Sequence, residues 1–206
     1  MMWSMRTRLA AVVMVAVFGL PEAAGAGSPT DQLQRYTDEV HRILAQSGTT
    51  LADKRAAVRR VAEQVFDLNE TARRALGPHW RKRTPAEQEE FVRLFADLLD
   101  RTYMGKIELY GGERLVFTGE AIEGDYAAVR AKVITRQGTE VPVEGRLHQR
   151  GGRWLVYDLL IEGISLVGNY RSQFDRIIRT SSWEELMRRL RVKGEGPFEE
   201  GRPNPS

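Results

Sequence analysis

The chain offers few groups suited to chemistry, and their spacing does not match known catalytic or metal sites. His41, His79 and His148 each lack a second histidine or an acid at helical metal-ligand spacing, so we interpret them as surface or structural imidazoles. The segment 163–168 (GISLVG) resembles a nucleophile elbow, but that motif requires glycine two residues after the serine, where Val167 stands. The sequence therefore predicts neither a metal centre nor a catalytic serine.

Two acids, Asp158 and Glu162, lie at the end of an otherwise apolar segment. A buried carboxylate in such a place can act as a general base with a raised pKa. Alternatively, it accepts hydrogen bonds that fix the turn into the next helix, or it pairs with Arg171. We favour the structural role and keep the catalytic one as the alternative.

Length and composition indicate one folded domain. The chain has 206 residues, 42% of them hydrophobic, with 31 Lys and Arg against 28 Asp and Glu, for a net charge of +3. The chain has no cysteine, which excludes disulfides, thiolate nucleophiles and cysteine-bound metals. So small a net charge also argues against a nucleic-acid partner.

Residues 1–26 have the pattern of a secretory signal peptide. Two arginines precede an apolar run at 9–20, and a triplet of small residues ends at Ala26 as a cleavage site. The run has twelve residues, whereas a membrane span needs ~20. Cleavage removes two arginines and Glu22, which leaves 180 residues with a net charge of +2. We expect an exported protein with a domain at 27–193 and a disordered tail at 194–206.

Apolar residues spaced three and four apart predict helices on both sides of a central region. A capping box at 84–87 (TPAE) opens a long helix with a wide apolar stripe that extends to Ile107. The other predicted helices cover 29–46, a segment that starts at Thr50, 68–76, 165–179 and 183–192. A helix as long as the one after Thr84 must pack against a large apolar surface.

Between residues 114 and 161 the apolar period changes to two, which is typical of strands. The candidate strands are 114–118, 126–136, 140–149 and 153–161. The inward face of the fourth is expected to carry Leu155, Tyr157, Leu159 and Ile161. Because short turns join antiparallel neighbours, we predict a single α+β domain. In it, N-terminal helices and the long helix cover one face of a roughly four-stranded antiparallel sheet, and further helices follow.

The segment 157–174 (YDLLIEGISLVGNYRSQF) closely resembles the C-terminal signature of the MlaC family. These are periplasmic phospholipid-binding proteins of the Mla (maintenance of lipid asymmetry) pathway, also called the toluene-tolerance auxiliary family. The resemblance extends to Ala75-Leu76-Gly77-x-x-Trp80, to Thr84-Pro85 followed by Phe91 and Phe95, to Thr102-Tyr103 and to Trp154-x-Val-Tyr-Asp158.

The resemblance implies a lipid carrier and not an enzyme. Family members shuttle a phospholipid between an outer-membrane lipoprotein–porin complex and an inner-membrane ABC transporter with its substrate-binding ring. It implies a periplasmic location, no cofactor, a phospholipid as the ligand and a nuclear-transport-factor-2-like cone with an apolar cavity. We expect a monomer, and a cavity near or above the top of the ~300–1,000 Å³ range of small-ligand sites.

The candidate lipid-binding residues share large apolar side chains on predicted inward faces. They are Phe95, Leu98, Leu99, Tyr103, Val129, Val133, Val143, Leu147, Tyr157, Leu159, Leu166, Tyr170 and Phe174. Core packing is the alternative for each of them. The phosphate is expected at the mouth, near water, where Arg171 or another arginine contacts it. Arg81, Lys82 and Arg83 are the candidate docking patch for an acidic partner surface, with a solvated loop as the alternative.

Two other functions remain open at this point. The first is an enzyme acting on a small apolar substrate, an isomerase or a hydrolase, with Asp158 or Glu162 as the base in a cone-shaped α+β pocket. The second is an adaptor whose apolar groove binds a partner helix.

Overall fold

The computed structural model describes residues 27–104 and 112–192. The predicted signal peptide, the end of the long helix at 105–107 and the predicted tail lie outside these ranges. In the described ranges the helices are α1 (Pro29–Ala45), α2 (Leu51–Val65), α3 (Leu68–Leu76), α4 (Pro85–Met104), α5 (Leu166–Thr180) and α6 (Trp183–Arg191), with a 3₁₀ helix at Gly77–Lys82. The strands are β1 (Arg114–Glu123), β2 (Tyr126–Ile134), β3 (Glu140–Arg150), β4 (Arg153–Ile161) and β5 (Ile164–Ser165).

Side-chain caps set the helix boundaries. The capping box predicted before α4 is confirmed, since the Thr84 N–H donates to Glu87 Oε2 at 2.7 Å and the Glu87 N–H donates back to Thr84 Oγ1 at 3.3 Å. Ser182 caps α6 by accepting the Glu185 N–H at 3.1 Å. The helix predicted at 68–76 is confirmed as α3, and a 3₁₀ helix that was not predicted follows it at Gly77–Lys82. None of the described helices is long and apolar enough to cross a bilayer.

The five strands form one antiparallel meander in chain order, β1 to β5. The α+β prediction is therefore confirmed, with a short β5 added to the four expected strands. The alternation expected along β4 is wrong in its first half, because Trp154 and Val156 are buried there in place of Leu155 and Tyr157. A register shift opposite residues 146 and 147 inserts Tyr157 as an extra residue, so the inward alternation resumes at Leu159.

The apolar interior is divided into two clusters. The helical cluster joins α3, α4, α5 and α6 around Phe91, Phe95 and Phe174, which are each at most 1% exposed. The sheet cluster joins β2, β3 and β4 to α1 and α2, with Leu147 and Val156 at its centre. The two clusters do not merge, and this leaves a seam between the helical cluster and the sheet cluster.

Candidate functional site

A cavity of about 540 Å³ lies in this seam, enclosed by α2, α3, α4, β4 and the start of α5. We call it the seam cavity. Its apolar wall takes residues from the edges of both clusters. Phe66 and Leu159 pack against the sheet cluster, and Leu99 and Leu166 pack against the helical cluster. Ala62 on α2 also lines the wall. It is smaller than the sequence led us to expect and falls in the middle of the ~300–1,000 Å³ range of small-ligand sites.

The rim of the seam cavity is charged. Arg59 on α2 donates to Asp100 on α4 from both Nε and Nη2, each at 2.7 Å, in a bidentate pair. Glu63 and Asp97 lie beside this pair on the same two helices, both exposed. The hydrogen bond with Asp100 raises the pKa of Arg59, and the charges of Asp100, Glu63 and Asp97 add to this effect. One guanidinium therefore faces three carboxylates around an apolar opening.

Tyr103 and Tyr170 form a polar contact at the inner end of α4. Their phenols share a hydrogen bond, and burial is the main cause that raises the pKa of both groups. Tyr103 lines the seam cavity, whereas Tyr170 is 3% exposed and belongs to the helical cluster. Both phenols are thus neutral at physiological pH, and neither places a charge inside the cavity.

Asp158 has the structural role favoured from the sequence. It is 5% exposed, and its Oδ2 accepts the Ser165 hydroxyl at 2.6 Å while its Oδ1 accepts the Val167 N–H at 3.0 Å. These bonds tie β4 to the first turn of α5. Glu162 is exposed in the β4–β5 turn, with φ at 52° and its N–H donating to the Pro142 carbonyl at 2.9 Å. Both oxygens of Asp158 are therefore engaged in positioning α5.

Five of the thirteen candidate lipid-binding residues line the seam cavity: Leu99, Tyr103, Tyr157, Leu159 and Leu166. The others lie outside its wall. Phe95, Leu98, Tyr170 and Phe174 are in the helical cluster, Val129 and Leu147 are in the sheet cluster, and Val133 and Val143 are half-buried on β2 and β3. Contact of any of these thirteen with a lipid stays a prediction.

Aromatic packing explains why the interior of the helical cluster is closed. Phe95 contacts Tyr170 and Phe174 edge to face, with ring centroids 5.0 and 5.4 Å apart. Phe91 stacks on Phe95 at 5.8 Å and meets Trp183 at 5.9 Å. Rings from three helices thus fill the space that the sequence assigned to a ligand.

The predicted headgroup and docking residues lie elsewhere. Arg171 donates from Nε to the Arg74 carbonyl at 2.8 Å, at the end of α3, and does not line the seam cavity. In the described residues it forms no hydrogen bond with Asp158 or Glu162. Arg81 and Lys82 are exposed on the 3₁₀ helix. Arg83 instead packs over the Trp183 ring at 4.8 Å and pairs with Glu87 at 3.5 Å. Use of these arginines and the lysine in docking stays a prediction.

His148 takes part in a partly buried network that the sequence did not predict. Asp67 caps α3 and is 6% exposed, and its Oδ2 lies 3.1 Å from His148 Nε2 and accepts from Arg150 at 3.2 Å. His79 pairs with Asp175 at 2.9 Å. Across residues 27–104 and 112–192, no three His, Asp or Glu side chains are grouped as a metal site. His79 and His148 therefore each make a structural contact.

The charged residues of the rim were also not predicted from the sequence. Arg59 and Glu63 are four residues apart on one helix, and Asp97 and Asp100 are three apart on another, so each pair shares a face beside the apolar stripe. This spacing was the available signal. Sequence alone does not tell that the two faces meet across an opening.

Comparisons with known proteins agree with this fold. The sequence model described as "MlaC protein" matches residues 34–192. The Toluene tolerance protein ttg2D of Pseudomonas putida is 28% identical over 79% of this chain and 78% of its own length. The Intermembrane phospholipid transport system binding protein MlaC of Haemophilus influenzae is 20% identical, over 90% of this chain and 91% of its own. A Ralstonia solanacearum phospholipid-binding protein, solved in complex with a phospholipid, has a TM-score of 0.68 at 24% identity and covers 78% of this chain and 93% of its own.

Proposed function

The chain belongs to the MlaC family, and we propose that it binds a phospholipid by the acyl chains in the seam cavity and carries it across the periplasm. The observation that carries this proposal is the position of the cavity: an apolar space with a charged rim, in a fold shared with a protein whose structure contains a phospholipid. The name of the Haemophilus influenzae relative, a binding protein of an intermembrane phospholipid transport system, also supports the proposal.

The energetics of transfer favour a carrier with an apolar cavity. Two acyl chains of ~15 carbons, at ~0.8 kcal/mol per methylene, lose on the order of 24 kcal/mol if they leave a bilayer for water. A carrier removes this barrier by replacing one apolar environment with another. The cavity of about 540 Å³ is bounded on two sides by separate clusters, and we infer that loading both chains widens it by moving these clusters apart.

We propose that the protein is not an enzyme and that its ligand is its cargo. The support is the state of Asp158, whose two oxygens already bind Ser165 and the Val167 N–H. Asp158 lines the cavity, but these bonds hold its carboxylate to the start of α5, which is what an acid that positions a helix requires. The expected partners are an inner-membrane ABC transporter with its substrate-binding ring and an outer-membrane lipoprotein–porin complex, with the carrier itself a monomer.

Native mass spectrometry tests the proposal. We expect the mature protein, purified from the periplasm, to carry a mass that matches a phospholipid. Leu99→Arg places a charge in the apolar wall and is expected to abolish this mass. Leu51→Arg is the matched control, because Leu51 is 42% exposed at the start of α2 and outside the cavity. A wild-type protein that carries no lipid, or a folded Leu99→Arg variant that retains it, contradicts the proposal.

A further inference from the structure

The rim of the seam cavity has an excess of negative charge, which is unexpected for a site that receives an anionic phosphate. Among the described residues that line the cavity, Arg59 is the cation, and it faces Glu63, Asp97 and Asp100. A phosphodiester with no other charge would meet three carboxylates and one guanidinium. A headgroup that also carries a cation would complement both the guanidinium and the carboxylates.

The geometry leaves donors on Arg59 for a phosphate. The bidentate pair with Asp100 uses Nε and Nη2, and a guanidinium has five N–H groups. Three N–H groups of Arg59 therefore have no part in the pair. Its side chain is 49% exposed and that of Asp100 is 32% exposed, so both are reachable at the mouth.

Glu63 and Asp97 provide the complementary acceptors. Each lies on the same helix as one member of the ion pair, Glu63 four residues after Arg59 and Asp97 three residues before Asp100. On a helix these spacings place side chains side by side. Both carboxylates are exposed, and their charges act on Arg59. A cation held by them would sit next to a phosphate held by Arg59.

We propose that the rim makes this protein selective for zwitterionic aminophospholipids, such as phosphatidylethanolamine, over anionic phosphatidylglycerol. In this arrangement Arg59 binds the phosphate, and Glu63 and Asp97 bind the ammonium group. The inference rests on the proposed function, because it assumes that a lipid occupies the cavity.

The expected selectivity is modest because the rim is exposed. An exposed ion pair changes an equilibrium constant by about 1.5- to 5-fold, so two carboxylates give about 2- to 25-fold in favour of phosphatidylethanolamine. Salt screens such contacts, and raising the ionic strength from ~0.05 to ~0.5 M is expected to reduce the preference.

The experiment uses vesicles with equal amounts of phosphatidylethanolamine and phosphatidylglycerol that have identical acyl chains. The delipidated protein is incubated with them, and native mass spectrometry gives the ratio of the two bound lipids. We expect the wild type to favour phosphatidylethanolamine and the double variant Glu63→Gln/Asp97→Asn to approach a ratio of one.

The matched control is Asp38→Asn/Glu89→Gln, which removes the same two charges at exposed positions outside the cavity. Glu89 lies eight residues before Asp97 on α4, or ~12 Å at the rise of a helix, beyond the Debye length of ~8 Å at ~0.15 M, the ionic strength at which the variants are compared. We expect this control to keep the wild-type ratio.

The outcomes separate the two proposals. Bound lipid with a ratio of one in the wild type, or an unchanged preference in the folded rim variant, overturns the selectivity and leaves the carrier function standing. A wild type that takes up neither lipid overturns the carrier function itself. If the rim variant does not fold, the salt dependence of the wild-type ratio decides, and a preference that does not change with salt overturns the inference.

Discussion

Replacing Asp158 with alanine removes the carboxylate that joins β4 to α5. The Val167 N–H, in a residue 4% exposed, then loses its acceptor at 3.0 Å, and a buried unsatisfied donor costs about 1–3 kcal/mol. The Ser165 hydroxyl also loses its acceptor at 2.6 Å, which adds about 1 kcal/mol. We expect Asp158→Ala to lower the free energy of unfolding by about 2–4 kcal/mol.

Asp158→Asn removes the charge of this side chain but can keep its two hydrogen bonds. The amide oxygen can still accept the Val167 N–H, and the amide nitrogen can donate to Ser165 Oγ, which already accepts the Gly168 N–H at 2.8 Å. This variant loses only the contribution of the carboxylate charge to these hydrogen bonds, and we expect its free energy of unfolding to fall by about 1 kcal/mol. Ser165→Ala removes both the bond to Asp158 and the cap of α5, and we expect the double variant with Asp158→Ala to lose less than the sum of the single losses.

Urea denaturation of the delipidated protein, followed by circular dichroism, measures these differences. An ordinary surface substitution changes the free energy of unfolding by no more than about 0.5 kcal/mol. If the change for Asp158→Ala is no larger than this, the structural role assigned to the acid is refuted. Conversely, a stable Asp158→Asn variant that has lost the turnover of a small ester or ketone would show that the acid is a catalytic base.

Two further predictions concern an ion-paired carboxylate on α3 and a buried amide on α1. The hydrogen bond from Arg73, with further contributions from Arg74, lowers the pKa of Glu70 to about 2 from 4.5. A carboxyl with a lowered folded-state pKa stabilises the fold above its unfolded pKa and loses this contribution as the pH falls. Melting temperatures of the wild type should therefore drop between pH 4.5 and 2 more steeply than those of Glu70→Gln, and parallel curves would contradict this. Gln32 is 5% exposed, and its amide bonds both the N–H and the carbonyl of Trp154. Gln32→Ala is expected to lower the free energy of unfolding by about 2–4 kcal/mol in urea titrations, while an exposed neighbour on α1, Gln34→Ala, changes it little.

The order of the elements and the helix boundaries could be predicted because their signals are local. The end of β1 was wrong: the strand was expected at 114–118 and continues past a register shift at Gly119 to Glu123. A cap such as Thr84 with Glu87 depends on residues three apart, and the hairpins of the meander depend on short turns. The inserted residue at Tyr157 could not be predicted, because a β-bulge is fixed by the partner strand and leaves the apolar composition of β4 unchanged.

The site was predicted only in part for a related reason. Periodicity tells which side chains point inward, and Phe95 and Leu99 both do. It does not tell whether the interior at that point is filled. Phe95 meets rings from α5 that lie over seventy residues later in the chain, whereas Leu99 meets the open seam. The rim charges depend in the same way on how α2 and α4 come together.

The division of the interior into two clusters links the cargo to the stability of the protein. The proposed lipid would contact both clusters and bind only the folded chain, so we expect it to raise the free energy of unfolding by mass action, by about 2.7 kcal/mol at a hundredfold excess over Kd. We expect the amides of both clusters to exchange hydrogen more readily when the seam is empty. On the proposed function, we expect the melting temperature to report whether the cavity is occupied, and proteases that attack locally opened chains to remove empty molecules first.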